Sequence, residues 1–160
     1  NKKLTDLTAC VLQRPRHEKI VQALNKLGVN IKFISDGDVA GVIAVADKNS
    51  KIDIYLGIGG GPEGVLSAAA LSCIGGQIQT RLVLDNEQKK RIDQFGIKNL
   101  KKKYNIDDMV KGDVIFCATG VTSGDLADGV KDLGNEYEVN SFVLHKNFKT
   151  IKTITNIYNK

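Results

Sequence analysis

Four times along this chain a short run of β-forming residues gives way, through a polar or glycine-rich loop, to a stretch with helical spacing. That alternation constrains the fold more than any other feature, because parallel strands need long crossovers and helices usually supply them. Leu4 to Leu12 (LTDLTACVL) reads as the first strand. Gln13-Arg14-Pro15-Arg16 breaks it, and a helix starts near Pro15, whose ring is tolerated in a first turn. Ile20, Val21, Leu24 and Leu27 mark the apolar face of that helix and Gly28 its end. Ile31 to Ile34 predicts a buried strand, followed by the loop Ser35-Asp36-Gly37-Asp38 and a small-residue helix from Val39 to Ala46. Ile52 to Ile58 predicts a strand, Gly59-Gly60-Gly61-Pro62 a loop, and Glu63 to Cys73 a helix. Ile78 to Leu84 predicts another strand, and 86–111 is polar and reads as two short helices. Val114 to Ala118 follows as a strand, Thr119 to Gly124 as its loop, and Asp125 to Val130 as a short helix. The tail from Glu136 to Tyr158 alternates on both sides of Lys146-Asn147-Phe148 and predicts an antiparallel hairpin. The expected fold is therefore α/β: a layered sandwich with a mixed, largely parallel sheet and a C-terminal antiparallel hairpin. It is a single domain over 1–160, with no internal repeat or low-complexity linker.

Composition narrows the function classes. With 160 residues the chain can hold a real core without staples. The net charge of +5 suits an anionic ligand or a nucleic acid. The basic runs Lys89-Lys90-Arg91 and Lys101-Lys102-Lys103 lie in polar stretches without interleaved aromatics, which favours a solvated basic face over a nucleic-acid interface. Cys10, Cys73 and Cys117 each sit in an apolar run and are expected as small buried hydrophobes. No C-x-x-C pair is present, so neither a zinc site nor a redox pair is expected, and a reducing compartment is. No apolar run approaches the roughly 18 residues a membrane span needs, so the expectation is a cytoplasmic protein without a membrane partner. The chain opens Asn1-Lys2-Lys3 without an initiator Met, which suggests a fragment, a processed product or a renumbered chain.

In an open α/β sheet, ligands bind beyond the carboxyl ends of the strands. Four polar or glycine-rich loops fall there. Arg14 and Arg16 flank a stiffening proline beside a helix start. They are either a clamp for phosphate, each a planar fork of donors, or two surface arginines. Asp36 and Asp38 are separated by Gly37 and suit a metal, sugar hydroxyls or helix capping, with Asp38 placed as the N-cap. Gly59, Gly60 and Gly61 let backbone approach a ligand closely, and Pro62-Glu63 then opens a helix. Neither a P-loop nor a dinucleotide fingerprint is present. Thr119 to Gly124 reads as a turn rather than a second phosphate cradle. His17 and His145 have no Ser or Cys partner in sequence, which speaks against a nucleophilic triad. The residues alone support an α/β domain for a small anionic ligand, with the reaction open.

RPRHEKI, ISDGDVAG, IDIYLGIGGGPEGVLSAAAL with GGQIQTRL, and GDVIFCATGVTSGDL together resemble the class II fructose-1,6-bisphosphatases of bacteria, collinearly and over nearly the whole chain. The resemblance implies hydrolysis of the 1-phosphate of fructose 1,6-bisphosphate in gluconeogenesis, a fold similar to the inositol-monophosphatase group, and Mn²⁺ or Mg²⁺ as cofactor. Sedoheptulose 1,7-bisphosphate is a second substrate of some members. It also implies that Arg14, Pro15, Arg16, Asp36, Gly37, Asp38 and Gly60 contact substrate and that Glu63 binds metal. The resemblance covers only the C-terminal half of the family. The N-terminal half, which carries most of the metal-binding carboxylates, is then the expected partner. A homo-oligomer is expected as well, and a sugar-phosphate-binding module without catalysis is the alternative.

Overall fold

The structure, a computed structural model, describes residues 2–160. Its first sheet is parallel. Strand β1 (Thr8–Leu12) lies at the centre, β2 (Asn30–Ile34) on one side and β3 (Ile54–Tyr55) on the other. Ala9, Cys10 and Val11 are completely buried, as expected of a parallel strand covered on both faces. Register sorts the faces. Ala9, Val11 and Ile31 point one way, onto helix α1 (Glu18–Lys26) through Leu24, Ile20 and Val21. Cys10, Leu12, Ile34 and Tyr55 point the other way, towards helix α2 (Asp38–Ala46). There Gly41 lies so close that a Cβ would come within 2.9 Å of Ile34 Cδ1 and 3.1 Å of the Tyr55 ring.

Helices α2 and α3 (Gly61–Ile74) are apolar almost all round; α2 packs between the two sheets, whereas α3 buries Ser67, Ala68, Ala70, Leu71 and Cys73 and leaves Val65 and Leu66 half exposed. Their far side meets a second sheet through Ile43, Ala70, Cys73, Phe116 and Leu144. That sheet is antiparallel. Strand β6 (Glu136–His145) carries β4 (Ile115–Thr119) and the short β5 (Lys131–Asp132) on one edge, and β7 (Thr150–Asn159) on the other. The layers run α1, parallel sheet, α2 with α3, antiparallel sheet. The α/β class, the mixture of strand directions and the terminal hairpin are thus all observed, with the two kinds of pairing in separate sheets. Two short polar helices, α4 (Asn86–Ile92) and α5 (Ile106–Met109), occupy the predicted stretch. No helix of the described residues is long and apolar enough to cross a membrane.

Several expectations need correction. Leu4 to Asp6 form a 3-10 turn, and β1 begins only at Thr8. The strand expected over Ile52 to Ile58 pairs only at Ile54–Tyr55, with one further rung on each side, from Asp53 N–H to Thr8 O and from Leu56 N–H to Cys10 O. Beyond it the glycines let the chain leave the sheet. Ile78 to Leu84 does not join a sheet: only Thr80 pairs, with Tyr104. Val83 stands 61% exposed there, so the run's apolar residues found no strand to pair with among the described residues. No helix forms over Asp125 to Val130. Gly120 approaches the Asp128 carbonyl, Gly129 would place a Cβ 2.6 Å from Ser123 N, and Val130 N–H bonds Val121 O, which closes a compact loop instead. Cys117 is exposed, because alternation along β4 buries Phe116 and turns Cys117 outward, whereas Cys10 and Cys73 are buried as expected.

The Gly41 contact holds α2 on the parallel sheet. Gly41→Val should destabilise the protein by roughly 1–3 kcal/mol, the usual cost of overpacking. Gly64→Ala, a helical position whose Cβ would meet nothing within 4 Å, should be neutral or stabilising by about 0.5–1 kcal/mol. Urea unfolding of both variants checks this, and equal effects would contradict the packing.

Candidate functional site

The connection from β1 to β2 runs through α1 on one face of the parallel sheet, and that from β2 to β3 through α2 on the other. The chain therefore changes direction between β1 and β3, and in such sheets the ligand crevice lies at that point, beyond the carboxyl ends of the strands. The arginine turn after β1 forms one wall. The glycine loop after β3 forms the other, and the Asp36–Asp38 loop after β2 meets it through Asp38.

A 3-10 turn, Pro15–His17, leads into α1, with Arg14 extended before it and Pro15 in its first position. Arg16 Nε donates to Ile58 O at 2.6 Å, so one predicted phosphate anchor is already fixed to the opposite wall. Its terminal guanidinium nitrogens remain for an anion. Arg14 instead turns back, with Nη1 donating to Gln13 O at 2.9 Å. A shallow cavity of about 380 Å³ beside it, lined by Pro15, Val21 and Phe33 among others, excludes Asp36, Asp38, Gly60 and Glu63 and is not the crevice. His17 is 1% exposed. Its Nδ1 lies 2.6 Å from Leu12 O, and Ile58 N–H donates to its Nε2 at 2.8 Å.

Asp38 is not the N-cap expected of it. Gly37 takes that position with φ 75°, a left-handed conformation glycine adopts without strain, and Asp38 becomes the first helical residue. Asp38 Oδ1 accepts from Val39 N–H at 2.9 Å, and Asp36 Oδ1 accepts from Gly37 N–H at 2.9 Å. The other oxygen of Asp38, Oδ2, reaches over Gly59, 3.3 Å from where a Cβ would stand. Glu63 folds back in the same way over Gly60: any Cβ there would collide with Glu63 Oε2. These two glycines leave room for two carboxylates over one stretch of backbone.

Glu63 Oε2 is buried and has no hydrogen-bond partner. A buried acceptor without a donor costs free energy, so a cation or a donor fits there. One carboxylate does not make a metal site, however. Among the described residues no group of three His, Cys, Asp or Glu side chains is placed to hold an ion. The residues fit one ligand of a hard cation, not its full oxygen shell.

Two residues that sequence reasoning did not assign belong to this crevice. His17 was passed over because its partners are main-chain groups of Leu12 and Ile58, which no side-chain motif announces. Tyr55 is the other. Burial, then the neighbouring Asp38 and Cys10, push its phenol up to about 12, with Arg16 opposing. It therefore stays a neutral hydroxyl across the physiological range. The fourth loop, Thr119 to Gly124, is tied to itself and to β6, with Thr119 Oγ1 and Ser141 Oγ 2.9 Å apart and Gly120 N–H on Asn140 O. The helix expected after it is absent, so it closes a compact loop rather than a βα turn.

A family profile described as bacterial fructose-1,6-bisphosphatase, glpX-encoded, matches residues 1–158. The chain is 35% identical to a fructose-1,6-bisphosphatase class 2 of Haemophilus influenzae, covering 98% of this chain and 51% of that protein. It is 36% identical to fructose-1,6-bisphosphatase 1 class 2 of Escherichia coli, again over 98% and 51%. It is 33% identical to a Synechocystis protein named D-fructose 1,6-bisphosphatase class 2/sedoheptulose 1,7-bisphosphatase, over 100% and 50%. The chain spans about half the length of the curated relatives it matches.

The raised Tyr55 phenol gives the site a signature in alkali. In the unfolded chain the phenol ionises near its ordinary value of about 10; in the folded protein it keeps its proton up to about 12. Between these values the unfolded state releases a proton that the folded state retains, so stability falls as pH rises through this window. Tyr55→Phe should flatten that fall. Urea midpoints measured at pH 9 and pH 11.5 check it, and an unchanged slope would place Tyr55 outside the buried wall.

Proposed function

As the chain belongs to the bacterial fructose-1,6-bisphosphatase family, we propose that it builds the substrate-holding side of a phosphomonoester hydrolase acting on fructose 1,6-bisphosphate in gluconeogenesis. Mn²⁺ or Mg²⁺ is the cofactor, and the setting is a cytoplasmic homo-oligomer. The observation that carries the reading is the buried, unpartnered Glu63 Oε2 over Gly60, next in the chain to the Gly59 that Asp38 overhangs. Such an oxygen is suited to a divalent cation, and a bound cation of this kind would supply an activated water and neutralise charge at the phosphoryl group. The other carboxylates it needs come from outside these residues, in this reading from the N-terminal half of the enzyme.

The chain's own residues do the holding. Arg16 faces the phosphate with the guanidinium nitrogens not used on Ile58, and Arg14 reaches it by swinging off Gln13 O. Asp36 and Asp38 each have one oxygen engaged by backbone N–H and one left to accept from sugar hydroxyls. Gly37 sets the turn that presents them, and Pro15 stiffens the arginine turn. Gly60 lets substrate meet backbone. The neutral Tyr55 hydroxyl lies in the same wall as Asp38 and offers a further polar contact. Holding reactive groups in place in this way contributes several kcal/mol to lowering a barrier.

A second reading, a module that binds sugar phosphates without hydrolysing them, is favoured by the single metal-fitting carboxylate. Mn²⁺-dependent phosphate release from fructose 1,6-bisphosphate, measured on this chain with and without the N-terminal half, separates the two. Release only with both supports the half-site, and binding by calorimetry without release in either sample supports the module. Release by this chain alone would overturn the half-site.

Removing a metal ligand should cost more than removing a supporting partner. Glu63→Gln is therefore expected to lower Mn²⁺-dependent turnover of the complete enzyme by at least about 100-fold, with an unchanged circular dichroism spectrum. Arg16→Ala removes a charge-assisted contact and should raise the KM for the bisphosphate about 10- to 100-fold. Steady-state kinetics check both, and an unaltered KM would remove Arg16 from the phosphate contact.

A further inference from the structure

We propose that His17 is a positioning residue of the site: a neutral imidazole that latches the backbone N–H of Ile58 and thereby orders the glycine loop against which substrate binds. The latch rests on geometry alone, and its effect on substrate rests on the bisphosphatase reading.

Hydrogen-bond matching assigns the tautomer. With the proton on Nδ1, the ring donates to Leu12 O at 2.6 Å and accepts from Ile58 N–H at 2.8 Å, so both ring nitrogens are satisfied. With the proton on Nε2 alone, two lone pairs face each other across the 2.6 Å contact to Leu12 O, and Ile58 N–H loses its acceptor. A doubly protonated ring donates to Leu12 O and turns an N–H towards Ile58 O, 3.0 Å away. It then opposes the Ile58 N–H. Only the neutral Nδ1–H form uses every group. At 1% exposure no water is at hand to make up a missing bond.

Ile58 is held on both sides from one turn, with its N–H (in the Gly57–Ile58 peptide) on His17 and its carbonyl (in the Ile58–Gly59 peptide) receiving Arg16 Nε at 2.6 Å. That turn is anchored in its own right by the Nδ1–H bond to the end of β1. Further along, the loop has no side chain to fix it at Gly59, Gly60 or Gly61. Leu56 N–H bonds Cys10 O before it, and Gly64 N–H bonds Gly60 O after it. Among the described residues the bonds recorded to the backbone of Gly57 to Gly59 are those of His17 and Arg16 at Ile58. Moving Ile58 away from the turn would break both. It would also carry away the backbone under Asp38 and Glu63 and the partner of Arg16. His17 touches neither substrate nor metal in this arrangement; it acts through Ile58.

Two near-isosteric variants separate the two bonds. Asn places its amide nitrogen where Nδ1 stands and keeps the bond to Leu12 O; Gln reaches the position of Nε2 and keeps an acceptor for Ile58 N–H. Each loses one buried hydrogen bond, so their melting temperatures should fall alike. The measurements are made in the protein its gene encodes, supplied with Mn²⁺. His17→Asn should raise the KM for fructose 1,6-bisphosphate about tenfold and speed amide exchange at Ile58 to Gly61. His17→Gln should stay near wild type in both. A purely structural role would lower the active fraction, and so the apparent kcat, by the same factor in each variant and leave KM unmoved. Equal KM values in the two variants, or equal exchange in the loop, would overturn the proposal. Absence of phosphate release from the wild type would instead sink the bisphosphatase reading, and the exchange comparison would still decide the latch.

Discussion

Strand β1 is buried on both faces and hydrogen-bonded along both edges, and the candidate site is assembled around the carboxyl end of that strand. Such a strand has one workable register. Shifted by one residue, Ala9 and Val11 would change faces with Cys10, and α1 and α2 would each lose their contact surface. Burial raises the Cys10 thiol as well, keeping it an uncharged part of the wall. With β1 fixed, the arginine turn leaves it at a defined angle. The Asp36–Asp38 loop follows from β2, and the glycine loop needs only a two-residue strand, because Arg16 and His17 take over where the sheet stops.

The parts of this architecture that were legible in sequence are those in which a side chain's own pattern carries the information. Alternation from Glu136 to Tyr158 reports a hairpin because each strand has two differing faces. Ile20, Val21 and Leu24 report the buried stripe of α1. The glycines before Glu63 report close backbone approach, and the carboxylate folded over Gly60 is what approaches. Less legible was anything that depends on a partner distant in sequence. Ile78 to Leu84 has the composition of a strand, yet composition does not say whether a neighbour exists. Cys117 has an apolar context, but its exposure depends on the pleat of β4. Asp38 looked like a cap until Gly37, able to turn left-handed, took the place. His17 was invisible as a functional group because backbone has no sequence signature.

The site is also where local rules are broken. Elsewhere among the described residues the buried side-chain nitrogen and oxygen atoms find partners; Glu63 Oε2 does not. A fold tolerates such an oxygen where binding will later supply the partner, and violations of this kind concentrate at functional positions. Seen this way, the crevice is one side of a shell. In the proposed reading its arginines serve an anion, Asp36 and Asp38 serve hydroxyls, and Glu63 Oε2 serves a cation.

The hairpin that completes the antiparallel sheet has a colloidal consequence. Strand β7 is ten residues long, and from Ile151 to Asn159 every residue is exposed. Its inner edge is taken by β6; among the described residues its outer edge has no partner. A long edge with Ile151, Ile154 and Ile157 spaced along it is a template on which another strand can be laid. Lys152 and the net charge of +5 oppose that addition between like molecules, and salt weakens the opposition. The shelf life of a concentrated solution is therefore set less by the well-packed core than by one bare edge and the ionic strength around it.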